Sequence, residues 1–233
     1  MVAFDLPILL LLLHIVFGSA YCWFNWQFKV TCEADAHIVP KNQAEIALFL
    51  KEQYKKSSLI KVVGNGHGFG DLTTCVDEAQ IERPSYIVSL DNLKHLSVDK
   101  ENHTVTFGAG WDVYEPIEET KSHGMSFNNL GVERVQNFVG AVSTGTHGTG
   151  SLVGNMGSTV LGVRVLDAQG NVCVINQANN PEELKAFRIS LDALGLITEM
   201  TIQTKPTSLV KRPASTTPSC TKRSTSCTRN MTG

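Results

Sequence analysis

Two stretches of this chain combine small residues with a histidine: Gly64-Asn65-Gly66-His67-Gly68-Phe69-Gly70 and Gly140-Ala141-Val142-Ser143-Thr144-Gly145-Thr146-His147-Gly148-Thr149-Gly150. Glycine lets the backbone approach an anion closely and adopt positive φ, so successive N–H groups can converge on one diphosphate. Serine and threonine hydroxyls add donors without bulk. Either stretch alone can be read as a tight turn; two in one chain favour a diphosphate cradle. The first is not the Rossmann fingerprint, because the third glycine would fall on Phe69, the segment 71–80 lacks a helical apolar stripe, and no βαβ unit is expected around it. No Gly-Lys-Ser/Thr follows, which excludes a P-loop.

His67 stands between glycines, with little steric protection. Its imidazole is suited to attack an electrophilic cofactor carbon or to donate a hydrogen bond, and a turn histidine facing solvent is the plain alternative. His147 carries the same ambiguity. A metal site built on both histidines ranks lower, since Asp71 is the only carboxylate near His67 in sequence and neither loop holds a further histidine.

The elements that position these loops follow from periodicity and punctuation. Residues 21–35 form an opening segment bearing Trp and Phe. Pro40-Lys41-Asn42 starts a helix with Ile46, Phe49 and Leu50 on one face. A strand over 60–63 runs directly into the first glycine loop, and further strands are expected over 86–90 and 104–107. A helix over 112–121 is expected to be capped by Asp112. Residues 160–166 and 172–175 read as a hairpin, 181–191 as a helix with Pro181 in its first turn, and 197–204 as a final strand. Without a regular βαβ beat the fold class is α+β.

Net charge is −2, with 42% hydrophobic and 18% charged residues. That balance suits a globular core and supplies no basic field for nucleic acid. The run Leu6 to Phe17, followed by Gly18-Ser19-Ala20, reads as a signal peptide over 1–20, although it carries Asp5 and no basic residue. Secretion or residence in the ER lumen is expected, and a membrane anchor if the segment is not cleaved. Sequons at Asn102 and Asn230 are compatible with that address. Six cysteines (Cys22, Cys32, Cys75, Cys173, Cys220 and Cys227) show no metal-ligand spacing and leave disulfide pairing open. Residues 207–233 are rich in Ser, Thr and basic residues and are expected to be a disordered tail. It interleaves no aromatic residue with which to stack bases.

Taken in order, Val62-Val63-Gly64-Asn65-Gly66-His67 with Asp71, Val88-Ser89-Leu90, Val105-Thr106-Phe107-Gly108-Ala109-Gly110, Asn129-Leu130-Gly131, Val139 to Gly150, and Leu194-Gly195-Leu196-Ile197-Thr198 resemble the FAD-binding domain of the sugar-lactone and alditol oxidases. That family is of the vanillyl-alcohol-oxidase type and includes L-gulono-1,4-lactone and D-arabinono-1,4-lactone oxidases. The resemblance runs from about Trp23 to Pro206.

The resemblance implies two packed α+β subdomains, about 37–100 and 101–206, within an FAD-binding domain over 21–206. It implies FAD held covalently through His67, with Gly64, Asn65, Gly66, Gly68 and Phe69 along the pyrophosphate. Asn129, Leu130, Gly131 and the run Ser143, Thr144, Gly145, Thr146, His147 and Gly148 would flank the ribityl chain and isoalloxazine, and Ile197 would meet the adenine end through its backbone. Relatives usually carry Ser where this chain has Gly68, a lost hydroxyl worth about 1 kcal/mol. The implied reaction oxidises a hydroxyl of a sugar lactone or polyol, with O2 as acceptor. Relatives continue into a substrate domain that supplies acid–base groups, so no catalytic residue is assigned and the chain reads as shortened before that domain. A secreted flavin-binding or interaction protein without turnover is the alternative, and a metal-dependent hydrolase using His67 and His147 comes third.

Overall fold

A computed structural model of the chain describes residues 21–73 and 83–208. The expected signal run, Cys75, Cys220, Cys227, the Asn230 sequon and all but the first two residues of the expected tail lie outside the described residues.

The described residues open with an antiparallel hairpin of β1 (Tyr21–Phe24) and β2 (Thr31–Ala34). Next come β3 (Ala36–Ile38), α1 (Gln43–Lys55), β4 (Leu59–Val63) and, beyond the first glycine loop, β5 (Ser85–Ser89). These strands form a parallel sheet in the order β3-β5-β4. Helix α1 starts where its cap dictates. The Asn42 side chain accepts from the Glu45 N–H at 3.0 Å, and the Glu45 carboxylate accepts from the Lys41 N–H at 2.8 Å, so two orphan donors are satisfied together. Ile46, Phe49 and Leu50 then fall on one buried stripe.

The remaining strands build a six-stranded antiparallel sheet. They are β6 (Leu96–Asp99), β7 (Thr104–Gly108), β8 (Met125–Phe127), β9 (Val160–Leu166), β10 (Val172–Asn176) and β11 (Leu196–Pro206). The order is β10-β9-β11-β7-β6, with β8 pairing the far end of β11. Helices α2 (Tyr114–Ser122), α3 (Phe138–Ser143) and α4 (Pro181–Phe187) lie between these strands in the chain. One continuous apolar cluster joins the two halves, bringing Ile46, Phe49 and Val88 together with Val105, Phe107, Phe138, Leu166 and Met200. The architecture is the expected α+β class.

Several local expectations are corrected. Strands β3 and β4 flank α1 and both run parallel to β5, so a split βαβ unit does precede the first glycine loop. At three residues, β3 is too short to show a period. Asp112 does not cap α2: Val113 holds the cap position without a side-chain bond, and the Asp112 carboxylate accepts from Asn65 instead. Helix α4 stops at Phe187 rather than 191, because Leu191 and Asp192 adopt φ of 49° and 58°, which a right-handed helix cannot contain. Strand β6 pairs with β7, so the junction between the sheets falls between Ser89 and Leu96 rather than near residue 100.

Candidate functional site

The first glycine loop leaves β4 at buried Val63 and is gripped from one side by the N-terminal hairpin. Asn25 is 2% exposed at the hairpin turn. Its side-chain oxygen accepts from the Lys29 and Val30 N–H groups at 2.9 and 3.1 Å, while its amide donates to the Gly68 carbonyl at 3.1 Å. The Trp26 N–H donates to the Gly66 carbonyl at 3.0 Å. Gly66 has φ of +69°, and a Cβ there would lie 3.0 Å from the Trp23 ring and 3.2 Å from Asn25 Cα, so the turn requires glycine.

Above this backbone clamp the Trp26 indole stacks on the His67 imidazole, with centroids 5.8 Å apart and planes 19° apart. Phe69 meets the same indole edge-on at 5.9 Å. No described residue hydrogen-bonds the His67 ring nitrogens.

Sequence reasoning gave the opening segment no role. The usable signal was an Asn inside Trp23-Phe24-Asn25-Trp26, since asparagine favours turns whose own side chain closes the backbone. Asn25→Ala is expected to cost about 2 kcal/mol of stability, because it leaves buried backbone groups unpaired. Urea denaturation of the variant beside wild type measures this.

From the other side, the first loop meets the second. Asn137 caps α3 by accepting from the Gly140 N–H at 2.9 Å, and its amide donates to the Ala109 carbonyl at 2.7 Å. Gly64 lies so close to this side chain that a Cβ on it would be 2.5 Å from Asn137 Cβ. Asn65 extends the junction, its amide donating to Asp112 at 2.8 Å and to the Val135 carbonyl at 2.5 Å. Burial raises the Asp112 carboxyl above the usual carboxylate range, the Asn65 hydrogen bond pulls it back, and Glu115 raises it further. The Asn65 side chain is therefore a strut from the first loop to Asp112 and Val135.

The residues expected around the flavin ring form a second cluster. The Asn129 oxygen accepts from the Gly148 N–H at 3.1 Å and the Leu130 N–H at 3.0 Å. A Cβ on Gly131 would lie 2.5 Å from Thr146 Cγ2, which puts 129–131 directly against 146–148. His147 Nδ1 lies 2.8 Å from the Gly148 carbonyl. One member of the run faces inward: Ser143 is 1% exposed, with its hydroxyl unpartnered among the described residues. Thr144 is exposed, and its hydroxyl bonds back to the carbonyls of Gly140 and Ala141. Among the described residues no group of three or more His, Cys, Asp or Glu is arranged to hold a metal ion.

Between the loops opens a cleft lined by Val62 to Gly64, Leu90, Ala109, Asn137, Val139, Gly140, Asp192, Leu196 and Ile197. Gly64, Gly140 and Ile197 come from three distant segments and share this one space. Among the described residues Asp192 is its only ionisable lining residue. The site fits a dinucleotide: close-approach glycines offer backbone donors to a diphosphate, and apolar walls suit a planar base.

A family model described as "FAD binding domain" matches residues 34–176. The chain belongs to the FAD-binding domain family. It is 28% identical over 193 residues to D-arabinono-1,4-lactone oxidase of Kluyveromyces lactis, covering 81% of this chain and 35% of that protein. It is 29% identical over 184 residues to L-gulono-1,4-lactone dehydrogenase of Mycobacterium tuberculosis, covering 79% of this chain and 41% of that one. L-gulonolactone oxidase of Scyliorhinus torazame is 29% identical over 187 residues, again with 41% of its length covered. The chain thus spans little more than a third of the curated relatives it matches. Among solved structures, cholesterol oxidase of Brevibacterium sterolicum superposes with a TM-score of 0.67 at 19% identity, covering 79% of this chain and 37% of that one. Alkyldihydroxyacetonephosphate synthase superposes with a TM-score of 0.68 at 16% identity, covering 78% and 34%. At those identities the likeness concerns the fold, and this FAD-binding domain shares it.

Proposed function

We propose that this chain is the FAD-binding half of an oxidoreductase that oxidises a hydroxyl of a sugar lactone or polyol and passes the electrons to O2. The observation that carries the reading is the meeting of Gly64, Gly140 and Ile197 around one cleft. The substrate class rests on the lactone oxidases and dehydrogenases that match over about four fifths of this chain. FAD, when bound, would supply two-electron redox chemistry between a hydroxyl-bearing carbon and dioxygen. The chain's own residues bind and orient. Backbone N–H groups of the two glycine loops hold the diphosphate, Val62 and Ile197 wall the adenine end, and Asn129 to Gly131 with Thr146 to Gly148 border the ring system.

His67 is the proposed attachment point for the flavin. Its ring nitrogens bond to no described residue, and Trp26 fixes the plane of the imidazole, so a nucleophilic nitrogen is available. His147 is less suited, because one ring nitrogen already sits against the Gly148 carbonyl. The secretory pathway, as a secreted or ER-lumenal protein, is the proposed location, with a membrane anchor as the alternative if residues 1–20 are retained. Cys32 is disulfide-bonded, which suits an oxidising compartment.

Acid precipitation of the purified protein tests the attachment. Flavin fluorescence is expected to stay with the pellet in wild type and to move to the supernatant in His67→Ala. Flavin released from wild type removes the covalent bond while leaving FAD binding in place. A folded preparation that takes up no FAD at all removes the whole reading.

A further inference from the structure

The cleft between the glycine loops is lined by aliphatic side chains, glycine and Asn137, with Asp192 as the single carboxylate among the described residues. The backbone that delivers it is unusual. Leu191 and Asp192 are consecutive non-glycine residues with positive φ, 49° and 58°, a pairing that L-residues rarely adopt. The turn is fixed at both ends, by the Leu191 N–H donating to the Ser143 carbonyl at 3.2 Å and the Ala193 N–H donating to the Ser190 carbonyl at 2.9 Å. Strain that persists in a rigidly held turn beside a binding cleft is characteristic of residues placed for a ligand. No described residue donates a hydrogen bond to the Asp192 carboxylate.

Desolvation by surrounding atoms raises the Asp192 carboxyl above the usual carboxylate range, and the Lys61 ammonium opposes that shift. The side chain is nevertheless among the exposed residues. The carboxyl is crowded by protein on one side and open to the cleft on the other, the state of an acceptor awaiting donors.

The chemistry of FAD says which donors. A carboxylate repels a diphosphate and has two oxygens suited to two neighbouring O–H groups. On the functional reading above, Gly64 borders the diphosphate and Ile197 the adenine, and in FAD the group joining those two is the adenosine ribose. We propose that Asp192 is a specificity-determining residue that accepts hydrogen bonds from the 2′- and 3′-hydroxyls of the adenosine ribose, so that the cleft selects the dinucleotide FAD over FMN. The proposal rests on the FAD reading above and adds a residue that the glycine motifs do not contain.

Titration calorimetry tests it on the full chain made under riboflavin depletion, so that no flavin is attached, with FAD, ADP, 2′-deoxy-ADP and FMN as probes. Asp192→Asn keeps a residue that tolerates positive φ. It is expected to weaken FAD and ADP about tenfold to a hundredfold, the effect of losing a hydrogen bond to a charged group. FMN should be unaffected, and the difference between wild type and variant should shrink with 2′-deoxy-ADP. Asp192→Gly removes the carboxylate and relieves the turn. It should match wild type or exceed it in thermal stability while losing ADP affinity, which separates recognition from folding. Unchanged or tighter FAD binding by both variants overturns the proposal, since that is the result if the carboxylate only repels the diphosphate. FAD binding by wild type without measurable ADP binding overturns it as well. Failure of wild type to bind FAD sinks the functional reading itself, and this assignment with it.

Discussion

Gly64→Ala is expected to lower FAD affinity about tenfold to a hundredfold in a protein that still folds. A Cβ at residue 64 would sit 2.5 Å from Asn137 Cβ, a separation that real Cβ atoms do not reach. Asn137 cannot yield, because its oxygen caps α3 through Gly140 and its amide is held by the Ala109 carbonyl. The loops must therefore separate, and crowding of this kind costs about 1–3 kcal/mol. The displaced backbone is the one that meets the diphosphate, so the cost falls on binding. Quenching of flavin fluorescence during FAD titration of the flavin-free proteins, made under riboflavin depletion, reads the variant beside wild type. Equal affinity for Gly64→Ala and wild type would show that the contact between the loops does not shape the cleft.

The second large effect is on stability. Phe138→Ala should destabilise the fold by about 3–5 kcal/mol, the usual cost of deleting a fully buried phenylalanine. In a domain of this size that lowers the melting midpoint by about 10 °C. Phe138 is 1% exposed and sits against Phe107 at 4.8 Å and Phe127 at 5.3 Å between centroids. These three rings tie β7, β8 and α3 together, so the cavity opens directly beneath the helix that carries Gly140. Phe138→Leu, which keeps most of the volume, should lose much less. Thermal unfolding followed by circular dichroism distinguishes the two. A shift below about 3 °C for the alanine variant would contradict the packing account.

What could be read from residues alone was uneven, for physical reasons. Helix α1, the β9–β10 hairpin and strand β11 carry clear periodicity and punctuation, and they lie within a residue or two of their expected positions. The small-residue run after Asn137 hid a helix, because Gly140, Ser143 and Thr144 have weak helix propensity. Helix α3 forms through its Asn137 cap and the burial of Phe138 and Val142. Asn65 was read as a cofactor neighbour, while its side chain serves Asp112 and Val135, 47 and 70 residues away. Nothing local marks such a partner. Asp192 was invisible for the same reason: its importance comes from a turn that cuts α4 short and delivers it to a cleft built by distant segments.

Strand β11 has a consequence for how the protein is made. It pairs with β9 along one edge and with β7 and β8 along the other, holding the middle of the large sheet. Yet residues 196–206 follow every other described strand in the chain. Until they are in place, β7 and β9 have no neighbour between them, and Val105, Phe107, Val163 and Val165 wait uncovered. Such long-range closure is slow and leaves sticky edges open in the interval. Nascent copies should accordingly engage chaperones until that segment clears the exit tunnel.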